Sequence, residues 1–268
     1  YSVRNVNLPL FFYRQHRSSL SKNSRKILNN RSKIIKKFYQ NNEKTKHKLR
    51  SVLAIMPIRG LKIDPSSLVL RKIKKLPLVC HTINNLIKCD DITKLIITSP
   101  DKNSLSLLKK KYKKSKKLII LVRPTKFSRM NTETVQTFKQ ALKNKTVKKI
   151  KYNYILDTSF NTPYLSQSNI ETAINTIQIF NADKVIPVVQ ETHMYFKHDG
   201  NGLKSIIKNS NLKLERDVIY KQIYGFKLFK RNKLFSKDKS LKVSHIVLNK
   251  KESLEVTTDE DVKILNNI

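Results

Sequence analysis

The stretch SVLAIMPIRGLKIDPSSLVL, residues 51–70, tells most about how this chain folds. It opens with an apolar run at 51–56, which has the length of one buried strand. A turn with Arg59 and Gly60 follows, and turns at such places often hold phosphates with their backbone amides. The positions after the turn also include branched apolar residues, namely Leu61, Ile63 and Val69. The stretch therefore combines the start of a phosphate-binding fold with side chains that suit phosphate poorly.

Beyond this stretch, short apolar runs alternate with helical segments. This alternation predicts a doubly wound, three-layer α/β/α fold with a mostly parallel central sheet over residues 51–268. The expected strands are 51–56, 93–98, 118–122, 153–157 and 184–189, and the expected helices are 77–88, 102–113, 131–143 and 168–180. Two later segments are expected to add strands at a β-rich edge (217–231) and a strand followed by a helix (254–268). A capping signal at 258–261 marks the start of that last helix.

The charge of the chain is extreme. Among 268 residues, 56 Lys and Arg stand against 19 Asp and Glu, a formal net charge of +37. Solubility does not require so large a net charge, so we expect a polyanionic partner. Nucleic acid is favoured over an anionic membrane or an acidic protein because the charge is spread along the whole chain. An AT-rich genome would also raise Lys, together with Asn and Ile, but would not explain why Asp and Glu are scarce.

The first 50 residues form a separate basic arm with a net charge of +13. The segment RKILNNRSKIIKKFYQ, residues 25–40, has apolar residues at near-helical spacing, which predicts one amphipathic helix. A solvated, disordered extension is an equally good interpretation of such a charge block. The residues expected to contact RNA here are Arg14, Arg17, Arg25, Lys26, Arg31, Lys33, Lys36 and Lys37.

Two further basic segments are expected to face RNA. KKKYKKSKK, residues 109–117, contributes Lys109, Lys110, Lys111, Lys113, Lys114, Lys116 and Lys117 at the end of a predicted helix. Cations suit a helix C-terminus, but so many repel one another unless phosphates lie against them; a plain solvated face is the alternative. The segment 227–242 contributes Lys230 and Arg231 and interleaves them with Phe229 and Phe235. Such aromatic residues can stack on unpaired bases, although at strand spacing they are more often core.

Several segments resemble the acylneuraminate cytidylyltransferases, which have a nucleotide-diphospho-sugar transferase fold. Residues 56–83 are similar to the family's "IPARGGSKGIPRKNL" followed by "KPLIAYTI", and the residues that match are Pro57, Arg59, Gly60, Leu70, Pro77, Leu78, Thr82 and Ile83. YNYILDTSFNTPYL, residues 152–165, resembles "YDYVVLLQPTSPLR". ESLEVTTDEDV, residues 252–262, is similar to "ESVDIDTEEDL". The resemblance covers nearly all of 51–268 and implies that fold.

The family's chemistry is not retained to the same extent. Its loop Gly, Lys, Arg and Asn fall on Leu61, Ile63, Ser67 and Val69, and its two metal-binding Asp fall on Glu255 and Thr257. What the resemblance leaves is a vestigial nucleotide-binding set, Arg59, Gly60, Lys62 and Asp101, and a vestigial metal ligand, Glu255. Nucleotidyl transfer depends on positioning and electrostatic stabilisation, so these losses predict little activity. We therefore assign no catalytic residue, metal or cofactor.

These observations favour a pseudoenzyme that acts as a structural, rRNA-binding component of a large ribonucleoprotein. We expect a mitochondrial ribosome in the matrix as the setting, with rRNA and neighbouring ribosomal proteins as partners and no membrane span; a cytoplasmic location is the alternative. The competing hypothesis is an active cytidylyltransferase that uses CTP and Mg²⁺ to form a CMP-activated acidic sugar, with Arg59, Lys62, Asp101 and Glu255 in a rearranged site. An RNA-binding protein outside any fixed assembly is a third, weaker hypothesis.

Overall fold

The computed structural model describes residue 30 and residues 50–61, 63–128, 132–191, 193–206, 219–236 and 240–267. The strands are β1 (Val52–Pro57), β2 (Lys72–Ile73), β3 (Leu76–Pro77), β4 (Ile92–Ser99), β5 (Leu118–Val122), β6 (Tyr154–Thr158), β7 (Lys184–Glu191), β8 (Phe196–His198), β9 (Leu203–Ser205), β10 (Ile219–Gln222), β11 (Phe226–Lys230) and β12 (Val243–Val247). The helices are α1 (Leu78–Lys88), α2 (Lys102–Lys111), α3 (Thr134–Leu142), α4 (Lys145–Lys148), α5 (Gln167–Ile179) and α6 (Asp259–Asn267).

Eight strands form one mixed, mostly parallel sheet flanked by helices. Strand β1 lies at its centre and pairs in parallel with β4 and β6, and β5 extends the parallel part beyond β4. Strand β11 turns the sheet antiparallel between β6 and β7. Strands β10 and β12 pair with β7 on opposite edges, because Val188 pairs both with Gln222 and with Val247.

Each face of the sheet buries its own apolar cluster. On one face, α1, α2 and α5 pack against β1, β4 and β6, and the cluster includes Ala54, Ile83 and Ile174. On the other face, the cluster joins α3 and α4 to β1, β4, β5, β6 and β11 and includes Ile55, Phe138 and Phe229. Burial on both faces explains why the parallel strands read as continuous apolar runs in the sequence.

The predicted fold class is confirmed, and the five predicted parallel strands and four predicted helices lie within a few residues of the observed ones. The strand predicted at the start of 254–268 is wrong: residues 254–257 form no strand ladder. Val256 donates one backbone hydrogen bond to the Asn161 carbonyl, at 2.8 Å, while the amides of Thr257 and Thr258 donate to the Asp261 carboxylate. The predicted cap of α6 is present, since Thr258 Oγ1 accepts from the Asp261 amide at 3.1 Å.

Both cysteines, Cys80 and Cys89, are buried free thiols. Burial raises the pKa of Cys80, and it raises the pKa of Cys89 to about 12. These thiols are therefore protonated and inert at neutral pH. Of the helices described, none has both the length and the apolar character needed to cross a bilayer.

Candidate functional site

A cavity of about 350 Å³ lies at the carboxyl ends of the parallel strands. In open α/β sheets this edge is where ligands bind, because the loops that leave neighbouring strands meet there. Its polar lining comes from several of these loops and from α3, and includes Arg59, Ser66, Arg123, Thr137, Ser159 and Thr257. Cations and hydroxyl groups of this kind suit an anionic ligand.

The loop after β1 is folded onto itself. The amides of Ile63 and Asp64 both donate to the Gly60 carbonyl at 3.0 Å, and the Ser67 amide donates to the Asp64 carbonyl at 3.0 Å. Amides bonded within the loop are not available to hold a phosphate. Leu68 and Val69 are buried against the protein, while Leu61 is exposed. Two of the loop's apolar residues therefore pack against the protein and are not available to a ligand.

Gly60 and Asp101 have a structural reason to be retained. The buried Asp101 carboxylate caps α2, accepting from the Asn103 amide at 3.0 Å and from the Ser104 hydroxyl at 2.7 Å. A Cβ atom at residue 60 would overlap that carboxyl group, so only glycine fits there. The two predicted nucleotide-binding residues therefore lie together, and their contacts join the β1 loop to the start of α2.

Arg123 is a site residue that the sequence analysis missed. It follows β5 directly and is 97% buried, with Nε donating to Ser128 Oγ at 2.8 Å and Nη2 donating to the Ile58 carbonyl at 3.0 Å. Both acceptors are uncharged. Burial, reinforced by the nearby Arg59, lowers the pKa of Arg123 to about 10, so the guanidinium remains charged at neutral pH. The sequence feature that could have identified Arg123 is its position directly after a predicted apolar strand.

Asp157 is a second residue that the sequence analysis missed, although it is not among the residues that line the cavity. It is a half-buried residue of β6 between the buried Leu156 and Thr158, and desolvation raises its pKa to about 6 even though Lys227 and Lys184 lower it. A buried carboxyl group with two lysines nearby is a common property of functional sites, and also of structural charge clusters. Its sequence signal was a lone Asp at the carboxyl end of a predicted parallel strand.

The vestigial metal position is used in another way. Glu255 Oε1 accepts from the Tyr224 amide at 2.9 Å, and Thr257 donates to Asp261 through both its amide and its hydroxyl group. Across the described residues, no three His, Cys, Asp or Glu side chains are grouped so that they could hold a metal ion. Mg²⁺ takes oxygen ligands, often one or two carboxylates together with substrate phosphates and water, and the Glu255 carboxylate already accepts a hydrogen bond from a backbone amide.

The predicted RNA-binding residues differ in their surroundings. Lys109, Lys110, Lys111, Lys113, Lys114 and Lys116 are all exposed. Lys117 instead donates to the carbonyls of Ile87, in the last turn of α1, and of Cys89, just after that helix, at 3.0 and 2.8 Å. Lys230 pairs with Asp183 at 3.3 Å and donates to Asn181, and the Arg231 guanidinium lies 4.8 Å from the Tyr152 ring centroid. Two groups of predicted residues lie outside the described part of the chain. They are Lys62 in the loop after β1 and the residues of the basic arm, Arg14, Arg17, Arg25, Lys26, Arg31, Lys33, Lys36 and Lys37.

Comparison with solved structures identifies the fold. The chain is similar to 4-diphosphocytidyl-2C-methyl-D-erythritol synthase from Anaerococcus prevotii, with a TM-score of 0.59 and 13% identity over 81% of this chain and 95% of that one. It is also similar to CMP:2-keto-3-deoxy-manno-octonic acid synthetase complexed with CTP, with a TM-score of 0.56 and 9% identity over 81% and 97%. No family model and no curated protein matches the sequence. The similarity establishes the nucleotide-diphospho-sugar transferase fold and leaves the specific family open.

Proposed function

We propose that this protein is a non-catalytic relative of the cytidylyltransferases and acts as a structural, RNA-binding component of a large ribonucleoprotein. A mitochondrial ribosome is the setting we propose, with rRNA and ribosomal proteins as neighbours. The single observation behind the proposal is the excess of exposed positive charge. Residues 51–268 alone have a net charge of +24, and the basic arm adds +13.

The segment 109–116 concentrates that charge at one place. Its six exposed lysines lie at and just beyond the C-terminal end of α2, where the helix dipole favours a few cations. Six ammonium groups within eight residues also repel one another. The ion pairs found among the described residues involve other lysines, arginines and one histidine. A phosphate backbone along this segment would offset the repulsion and release counterions.

The candidate site supports the non-catalytic half of the proposal. The β1 loop uses its amides internally, Asp101 caps a helix, and Glu255 bonds to a backbone amide. Phosphoryl and nucleotidyl transfer require cations and metal ions placed against the reacting phosphates. In this chain the groups at those positions have structural partners instead.

An RNA-binding titration of the full chain tests the proposal. Lys109→Gln, Lys110→Gln and Lys113→Gln in one protein should weaken binding to a short RNA and make the salt slope shallower by about 2 to 3, as loss of phosphate contacts does. The matched control removes three other exposed lysines, Lys72, Lys75 and Lys88, in the same way. Equal losses in both proteins would show that segment 109–116 is not the interface. Absence of RNA binding by the unmodified chain would overturn the proposal.

The cavity favours one second candidate, an active cytidylyltransferase. Arg59 and the buried Arg123 both line an open space at the edge of the sheet where nucleotides bind in this fold class. In that case Arg59, Lys62, Asp101 and Glu255 would act with CTP and Mg²⁺ on an acidic sugar. Incubation with CTP, Mg²⁺ and a panel of acidic sugars separates the two candidate functions. Formation of a CMP-sugar by the unmodified chain, with loss of this activity in Arg123→Met, would overturn the non-catalytic proposal.

A further inference from the structure

One side of the central sheet is only partly covered by the described residues. The apolar cluster on this side joins helices α3 and α4 to β1, β4, β5, β6 and β11, and in the described part of the chain it contains no residue of β7, β10 or β12. Along β12, residues Val243, His245 and Val247 are exposed while Ile246 between them is buried on the opposite side. Half-exposed apolar strands of this kind often mark an interaction surface.

Aromatic rings occupy this open side. The rings of Tyr220 on β10 and His245 on β12 lie 5.0 Å apart between centroids, at 41°. They come from strands on opposite edges of β7, and the register places Val188, which is buried, between those strands. Both rings remain exposed, with 45% of Tyr220 accessible, so they form a platform on the sheet and are not part of its core.

Cations are interleaved with further rings on the same side. Lys227 Nζ lies 5.7 Å from the ring centroid of Tyr224, which is 65% exposed. Lys184 Nζ lies 5.4 Å from Phe229, and Lys139 of α3 lies 5.5 Å from Phe235, which is 40% exposed. We call this surface the aromatic face and define it by its rings, Tyr220, Tyr224, Phe229, Phe235 and His245.

The charge on the aromatic face is positive overall. Lys139, Lys184 and Lys227 lie against its rings, and they outnumber two nearby carboxylates, Asp157, which influences Lys184, and Glu255, which accepts from the Tyr224 amide. An ammonium group beside an exposed ring can bind a phosphate while the ring stacks on the attached base. Single-stranded RNA offers both groups in alternation, whereas the bases of an A-form duplex are already stacked on each other.

We propose that the aromatic face binds an unpaired RNA segment, with bases stacked on Tyr220, Tyr224 and Phe235 and phosphates paired with the neighbouring lysines. The inference rests on the proposed RNA-binding function and adds to it a second contact surface and the class of RNA that it takes. It also gives a role to residues of the basic and aromatic segment 227–242, which is separate from the lysine-rich segment 109–116.

The test compares binding of the full chain to a short single-stranded RNA and to a duplex of the same length. The double variant Tyr220→Leu with Tyr224→Leu removes two exposed rings and keeps apolar bulk. We expect it to lose about tenfold or more in affinity for the single strand, because each stacked base contributes substantially, and to bind the duplex as the unmodified chain does. The matched control is Phe180→Leu, which removes a 43% exposed ring at the end of α5 beside the other sheet face. Circular dichroism of each protein verifies that it is folded.

The outcomes separate this inference from the proposed function. Unchanged single-strand affinity in the double variant, with lysine variants of segment 109–116 still impaired, overturns the aromatic face alone. Absence of RNA binding by the unmodified chain overturns both. In native particles, 4-thiouridine in the RNA should crosslink to peptides that contain Tyr220 or Tyr224. Crosslinks from this face to a polypeptide instead of to RNA would assign it to a protein partner and contradict the inference.

Discussion

Replacing Asp157 by Asn should stabilise the protein at neutral pH. Burial raises the pKa of this carboxyl group from 3.8 to about 6, so its ionised form is less favourable in the folded chain than in the unfolded one. At about 1.4 kcal/mol for each pKa unit, the difference corresponds to about 3 kcal/mol, and partial solvent access reduces it to about 2 kcal/mol. The amide has nearly the same shape and no charge to desolvate, so the variant should gain most of this free energy at pH 7.5.

The pH dependence provides the sharper test. Between pH 3.8 and 6 the folded state holds a proton at Asp157 that the unfolded state has released, so stability falls as pH rises through this window. The unfavourable contribution is complete above pH 6, and about a third of it remains at pH 4.5. Urea unfolding of both proteins should therefore show a gain for Asp157→Asn at pH 7.5 that is much smaller at pH 4.5. An equal difference at the two pH values, or no gain at pH 7.5, would refute the assigned environment.

Asp183 serves as a control of opposite sign. Its carboxylate accepts a hydrogen bond from the Lys242 amide and pairs with Lys230, and these contacts hold its pKa below the usual value. Its ionised form is therefore favoured in the folded state, and this contribution is lost as pH falls. Asp183→Asn should accordingly destabilise the protein at pH 7.5.

Three further substitutions test contacts that define the site and its frame. Gly60→Ala should destabilise the fold by about 1 to 3 kcal/mol in urea unfolding, because the added methyl group overlaps the Asp101 carboxyl group; a neutral result would contradict the packing described. Lys117→Met should lower the melting temperature, since it removes two hydrogen bonds to carbonyls at the C-terminal end of α1, whereas exposed Lys116→Met should leave it unchanged. Thr258→Ala should cost about 1 kcal/mol by removing the cap of α6, and an unaltered unfolding midpoint would show that this cap contributes nothing.

The parallel core could be predicted because its strands are buried on both faces. Continuous apolar runs separated by helical segments are visible in the sequence, and even the half-buried edge strand β5 matches the run at 118–122 residue for residue. The segment 254–257 alternates apolar and polar residues as a strand does. The Asp261 carboxylate, however, accepts hydrogen bonds from the amides of Thr257 and Thr258, so these amides do not pair with a neighbouring strand. A competition of this kind between a side chain and a strand partner depends on contacts that sequence patterns do not show.

The candidate site was predictable only where a motif exists. Arg59 and Gly60 were found through their turn, whereas Arg123 and Asp157 belong to no motif and acquire their properties from burial. The structural role of Asp101 could not be predicted either, because its contact with Gly60 joins residues that are far apart in the sequence. Residues that follow parallel strands at the carboxyl edge deserve inclusion in any search for a site, since the fold brings them together.

Sedimentation of the native protein from gently lysed organelles tests the central claim most directly. The protein should migrate with a ribosome-sized particle, and RNase or high salt should release it, because its exposed positive charge would be bound to RNA phosphates. Migration as a monomer or dimer, with or without RNase and at low or high salt, would contradict the ribonucleoprotein account.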